Sequence, residues 1–180
     1  QAVFPLKGKP LNVMEAPIDK ILNNVEVASI LAGIGVELNG KDVGKIRYGK
    51  IILLADADVD GKHISTLLLT LLWKFVPNLF HEKKVYIVDS PEYMARYKGK
   101  LYTAKKKDTL YKKTGNPKLE IQHIKGWGEI NAEDLEPIAF NPETRKLIQV
   151  LAPENKDGEL RFQKLMGKNS LYRKKLMGVE

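Results

Sequence analysis

No cysteine occurs in the 180 residues. That excludes a disulfide framework, a thiolate metal site and a cysteine nucleophile, and with them the small secreted scaffolds that rely on cross-links. It is compatible with a reducing, cytoplasmic setting. No apolar run approaches the roughly 18 residues a membrane-crossing helix needs; Leu67 to Trp73, among the longest, is interrupted by Thr70. An initiating Met and the charged-then-apolar pattern of a signal peptide are missing, so the sequence reads as a chain cut from something longer. Acidic residues are outnumbered, 22 against 30 Lys plus Arg, which leaves a net charge of +8. The imbalance points to a polyanionic partner, nucleic acid first, and carries no information on fold. Hydrophobic residues are plentiful at 43%, enough for one large domain or a domain with an appendage.

Apolar residues recur at helical spacing from Pro17 to Gly33, with Pro17 suited to the first turn and Gly33 and Gly35 to the stop. Gly40 and Gly44 mark a polar turn. The run Lys50-Ile-Ile-Leu-Leu-Ala55 then reads as a strand buried on both faces, ending at Asp56. After Gly61 the residues Ile64, Leu67, Leu68, Leu71, Leu72 and Phe75 mark one face of a helix that Pro77 ends, and Val85 to Val88 is the next strand. Strand, helix, strand in that order is a βαβ unit with a mostly parallel sheet, whose ligands sit beyond the carboxyl ends of the strands. Asp56 to Asp60 falls there. Tyr93 to Tyr97 and Lys100 to Thr103, joined by Lys98-Gly99, read as a hairpin. Between Arg96 and Lys118, nine basic residues face Asp108 alone, so this stretch holds a charge equal to the whole excess. It is either a solvated surface or a phosphate-facing one. Leu119 to Ile124 reads as a strand, Asn131 as the cap of a helix through Ile138, Lys146 to Leu151 as a strand, and Glu159 to Met166 and Ser170 to Met177 as two short helices.

Asp56, Asp58 and Asp60 alternate directly after an apolar strand and before a helix. Carboxylates this close repel one another unless a cation intervenes, and a hard divalent ion such as Mg²⁺ suits them. An EF-hand fails on two counts: its twelfth position would be Leu67 where a bidentate Glu is required, and a strand precedes the loop. A phosphatase of the haloacid dehalogenase type, using its first Asp as nucleophile, is left open by the pattern alone. So are carboxylates that only serve turns and caps. His63, in the first turn of the helix, is a cap-region side chain or, beside a metal loop, a contact for a phosphodiester.

Gln1-Ala-Val-Phe-Pro-Leu-Lys-Gly-Lys9, Leu11-Asn12-Val13, Asp56-Ala-Asp-Val-Asp-Gly61 and His63-Ile64 resemble the B-type subunits of type IIA DNA topoisomerases, those of gyrase and topoisomerase IV. The likeness continues in order through Val85-Tyr-Ile, Lys125-Gly-Trp-Gly-Glu129, Asn141-Pro-Glu-Thr-Arg145 and Leu165-Met-Gly-Lys168. The resemblance implies an α/β fold: a Toprim domain over residues 1–100, Rossmann-like with a mostly parallel sheet flanked by helices. A smaller α+β C-terminal tail over 101–180 would contact the tyrosine-bearing subunit. It matches Asp56, Asp58 and Asp60 to the metal-binding loop, Lys9, Asn12 and His63 to DNA contacts near the cleaved phosphodiester, Arg173 to a basic contact in the tail, and Lys7 to the same basic motif as Lys9.

The implied function is to provide Mg²⁺ and backbone contacts for double-strand cleavage, passage and religation, within a cytoplasmic heterotetramer that includes the tyrosine-bearing subunit. No catalytic residue is assigned in this chain. The family's Glu-Gly-Asp-Ser-Ala motif, whose Glu is both a metal ligand and the acid/base group, belongs upstream of Gln1, and ATP binds through a further upstream domain. The chain is therefore expected neither to bind ATP nor to cleave DNA alone. The seven tyrosines, at 48, 86, 93, 97, 102, 111 and 172, are read as core or surface aromatics. Ala55, Lys62, Glu92 and Trp127 depart from the family's usual residues and mark a divergent member, for which a phage source is compatible. The rival readings are a Toprim nuclease or primase-like enzyme acting alone, and a non-catalytic DNA-binding remnant.

Overall fold

The computed structural model describes residues 1–36 and 46–179. The helix expected from 17 to 33 is two helices. α1 (Ile18–Leu22) ends at Asn23, and Asn24 restarts the chain as the cap of α2 (Val25–Ile34), its side chain accepting from the Val27 amide at 2.9 Å. Asn serves better as a cap than as an interior residue, because its side chain satisfies an amide that the first turn leaves bare. Gly35 stops α2 in the left-handed region at φ 96°, and Gly33 lies inside the helix. The turn expected at Gly40 and Gly44 lies outside the described residues.

β1 (Ile51–Leu53) is shorter than the apolar run suggested: Leu54 is already exposed and outside the strand. α3 (Val59–Phe75) starts ahead of Gly61, which sits in its first turn, and ends just before Pro77. α4 (Asn78–His81) is a single turn, and β2 (Val85–Val88) is as expected. The hairpin is also as expected: β3 (Tyr93–Tyr97) pairs antiparallel with β4 (Lys100–Ala104) through Lys98 at φ 49° and Gly99 at φ 76°. Two consecutive left-handed residues make the turn whose twist matches that of the strands. α5 (Lys107–Thr114) follows and stops at Gly115, φ 65°.

The strand expected over Leu119–Ile124 is reduced to β5 (Gln122–His123), which pairs with β3. α6 (Ala132–Leu135) is preceded by Asn131, whose side chain makes no capping bond, and widens into a π-helical stretch, Glu136–Phe140. Pro137 explains the change, because its missing N–H removes one link of the regular ladder. β6 (Leu147–Gln149), α7 (Lys156–Met166) and α8 (Leu171–Leu176) complete the chain. β1, β2 and β6 form one sheet with β2 central, and β4, β3 and β5 a second with β3 central.

The chain divides into two compact units. The first comprises Gln1–Ile51, His63–Tyr86 and Gln149–Glu180. Its core joins Ile21, Val27 and Leu31 to Leu71, Leu72, Val76, Leu79 and Val85. Each such side chain removed from water contributes roughly 1.5–3 kcal/mol. The second unit comprises Ile52–Lys62 and Ile87–Ile148. Opposite faces of its hairpin build two smaller cores: Met94 packs with Ile124, Ile130 and Ile138, and Ala95 with Leu110 and Leu119.

Candidate metal centre and nucleic-acid interface

The acidic loop lies in the second unit, between β1 and α3. Asp58 occupies the capping position of α3: its Oδ1 accepts from the Gly61 amide at 2.7 Å and its carbonyl from the Lys62 amide at 3.1 Å. An acidic cap is favoured twice, by satisfying a bare amide and by facing the positive end of the helix. Asp60 is in the first turn of the same helix. The loop folds tightly around Asp56. A Cβ on Gly61 would stand 2.1 Å from the Asp56 carbonyl oxygen, so only glycine lets the two backbones approach this closely.

Asp56 is held from a second direction. The Trp127 amide donates to Asp56 Oδ1 at 2.9 Å, and the Trp127 indole N–H donates to the Ala55 carbonyl at 2.8 Å. Gly126 flanks the same carboxylate closely: a Cβ there would stand 3.4 Å from both oxygens, in ordinary van der Waals contact. A cavity of about 10 Å³, lined by Asp56, Ala57, Ser90, Pro91, Lys125 and Trp127 among others, opens beside the carboxylate. That is about the space of one water-sized sphere.

Asp56 and Asp58 each spend one oxygen on a backbone amide and keep the other without a protein partner among the described residues. Hard oxygen donors suit Mg²⁺, which retains several waters and takes only one or two carboxylates plus phosphate oxygens. No three of Asp, Glu, His or Cys are gathered as a metal cluster among the described residues. The donor set offered here is therefore partial, and it fits an ion completed by water and phosphate.

The other singled-out residues lie in the first unit. Lys7 and Lys9 are exposed on a segment without regular structure, and His63 is exposed on α3. Asn12 and Arg173 are brought together with the end of α7. Asn12 Nδ2 donates to the Met166 carbonyl at 3.0 Å while its Oδ1 accepts from the Met14 amide at 3.1 Å. Arg173 donates to the Leu165 and Gly167 carbonyls at 2.8 and 2.6 Å and lies 3.9 Å from Glu15. Both polar heads are thus engaged in tying residues 12–15 to 165–167. Trp127 is the participant that reasoning from sequence missed. Its only signal was an aromatic residue inside Lys125-Gly-Trp-Gly-Glu129, noted as a departure and not as a donor.

The Toprim domain family matches residues 1–89, and the family described as the carboxyl terminus of the DNA gyrase B subunit matches 116–178. The DNA gyrase B subunit of Thermotoga maritima is 36% identical over 98% of this chain and 28% of its own length, and that of Staphylococcus epidermidis 40% over 93% and 27%. The chain thus spans little more than a quarter of these relatives. A crystal structure of the Plasmodium falciparum topoisomerase II DNA-binding, cleavage and re-ligation domain superposes with a TM-score of 0.78 and 26% identity, covering 96% of this chain and 24% of that one. An acidic loop at a strand end, capped onto a helix, and two family matches in consecutive order lead to one assignment. The chain belongs to the type IIA topoisomerase B-subunit family and corresponds to its Toprim and carboxyl-terminal region.

Proposed function

We infer that this chain supplies the carboxylates of a Mg²⁺ site, and contacts to the DNA backbone, for the double-strand cleavage and religation of a type IIA topoisomerase. The observation that carries the reading is Asp56: its carboxylate stands just past the end of β1, fixed by the Trp127 amide, with an ion-sized space beside it. Asp56 and Asp58 would hold the ion, with Asp60 as a further candidate ligand. Mg²⁺, when bound, supplies Lewis-acid stabilisation of charge on the scissile phosphate and the leaving 3′ oxygen.

The chain's own residues do the positioning. Lys7, Lys9 and His63 hold phosphate oxygens without reading sequence, as backbone contacts do. Asn12 and Arg173 serve the same end through the segment they fix, because both heads are occupied within the chain. In this reading residues 1–100 act as the Toprim part and 101–180 as the tail, which meets the subunit carrying the nucleophilic tyrosine in a cytoplasmic heterotetramer. The glutamate of the family's Glu-Gly-Asp-Ser-Ala motif, and ATP binding, come from outside these 180 residues.

Duplex binding tests the backbone contacts. Lys9→Gln combined with His63→Ala is expected to weaken the affinity and lower the salt dependence of the wild-type chain by one to two phosphate contacts. An unchanged affinity contradicts the assignment of these residues.

A further inference from the structure

The hairpin and α5 hold charge in an unusual way. Of the nine basic residues between Arg96 and Lys118, two are neutralised: Arg96 pairs with the buried Asp134 at 2.5 Å, and Lys105 with Asp89 at 2.8 Å. The remaining seven lysines have no carboxylate within ion-pair distance among the described residues. Three of them are nonetheless fixed in place. Lys107 Nζ sits 5.5 Å from the centre of the Tyr93 ring and Lys98 Nζ 5.3 Å from that of Tyr97, and Lys113 Nζ donates to the Thr103 carbonyl at 3.1 Å.

The two ring anchors, Tyr93 and Tyr97, share one side of the hairpin, and Thr103, in register with Met94, lends only its backbone carbonyl. In the β3–β4 register Tyr93, Ala95 and Tyr97 stand opposite Ala104, Tyr102 and Lys100. This side, excepting Lys100, packs on Leu110 of α5 and on Leu119. Arg96 alternates to the other side, where Met94 and Leu101 pack with Ile124. Lys100, Lys106, Lys112 and Lys118 are exposed on or beside the same motif. Rings and a carbonyl orient an ammonium group without cancelling its charge. Seven unneutralised lysines on one small motif repel each other, so the arrangement is matched to an outside polyanion. Lys106 and Lys107 line one cavity with Lys105, Glu92 and Asp108, while Lys98, Lys100, Lys112, Lys113 and Lys118 lie elsewhere along the hairpin and helix, a spread that fits a linear array of phosphates better than a single one.

We propose that the exposed lysines of α5, of the hairpin turn and of the segments flanking α5 form a second track for the backbone of duplex DNA, built from residues other than Lys7, Lys9 and His63. It rests on the reading that this protein acts on DNA. The track contributes affinity and salt dependence without metal and without sequence preference, because it meets phosphates alone.

The test is duplex affinity of the whole chain between 50 and 200 mM salt, without metal, for a variant with Lys100, Lys106, Lys112 and Lys118 all changed to Gln. Each lost phosphate contact lowers the slope of log affinity against log salt by about 0.9, so a drop of roughly 3 to 4 is expected. Changing the same four to Arg should restore the slope. A control with Lys20, Lys83, Lys146 and Lys156 changed to Gln removes the same charge elsewhere and should move the slope by less than about one. Equal drops in the two Gln variants overturn the track in favour of net charge, and an unchanged slope overturns it in favour of a solvated surface. If the wild-type chain fails to bind duplex at all, the DNA reading itself falls; if only Lys9→Gln with His63→Ala matters, the track alone falls.

Discussion

Gly61→Ala sets two physical effects of opposite sign against each other. Inside a helix, Ala is favoured over Gly by roughly 0.5–1 kcal/mol, so propensity alone calls for a more stable protein. The geometry calls for the reverse. The added Cβ would lie 2.1 Å from the Asp56 carbonyl oxygen, 2.7 Å from its amide nitrogen and 2.8 Å from its carbonyl carbon, where ordinary contact begins at 3.4 Å. All three are backbone atoms, so no rotamer relieves the clash, and the Asp56 peptide must withdraw by roughly 1 Å. Overpacking of this kind costs typically about 1–3 kcal/mol. A clash this deep against backbone belongs in the upper part of that range, about 2–3 kcal/mol, so less the propensity gain the net loss is about 1–2.5 kcal/mol, or a fall in Tm of roughly 2–10 °C for a chain of this size. Gly128→Ala is the control, since a Cβ there meets nothing within 4 Å. Thermal unfolding followed by circular dichroism reads both. A Tm for Gly61→Ala at or above that of the unmodified chain would refute the close approach of Gly61 to Asp56, and with it the account of how the loop is shaped.

Two further outcomes follow from named contacts. Trp127→Leu keeps the backbone amide on Asp56 and deletes the indole bond to Ala55; groups that orient a metal-binding residue typically contribute 10–100-fold to affinity. Mg²⁺ binding by calorimetry should therefore weaken by about tenfold or more while the fold persists, and an unaltered affinity removes Trp127 from the site. Asn24→Ala deletes the side-chain bond to the Val27 amide at the start of α2. It should destabilise by about 1 kcal/mol, seen as a lower denaturant midpoint with unchanged slope, and no shift would mean the cap contributes nothing.

The parts of this molecule that sequence disclosed are those whose cause is local. The acidic loop was legible because three alternate aspartates interrupt an apolar run, and the hairpin because Lys98-Gly99 sits between alternating stretches. The division of the first long helix was missed although its cause is also local: the apolar spacing runs across the break, and periodicity outweighed Asn24 as a cap. Other features depend on residues far apart in the chain. The bond from Trp127 to Ala55 joins positions 72 apart and that from Asn12 to Met166 positions 154 apart, so no window of sequence contains either. The lysine-rich stretch was visible as charge, whereas its hold on Tyr93, Tyr97 and Thr103 depends on strand register and the packing of α5. Asn12 and Arg173 illustrate a further limit. The family resemblance matched Asn12 to a DNA contact and Arg173 to a basic contact in the tail, and only the fold reveals that their donors already serve backbone carbonyls.

The central claim is that Asp56 and Asp58 form the metal-holding side of a DNA-cleavage site shared with other chain segments. Its most direct test is a supercoiled-plasmid reaction with Mg²⁺, quenched with detergent and protease. It is run on this chain alone, and again with a Glu-Gly-Asp-Ser-Ala segment from a gyrase B relative and a tyrosine-bearing subunit. Protein-linked breaks are expected only in the complete mixture, and Asp58→Ala should abolish them there. Nicking or linearisation by the chain alone, or full activity of the complete mixture with Asp58→Ala, would contradict the account.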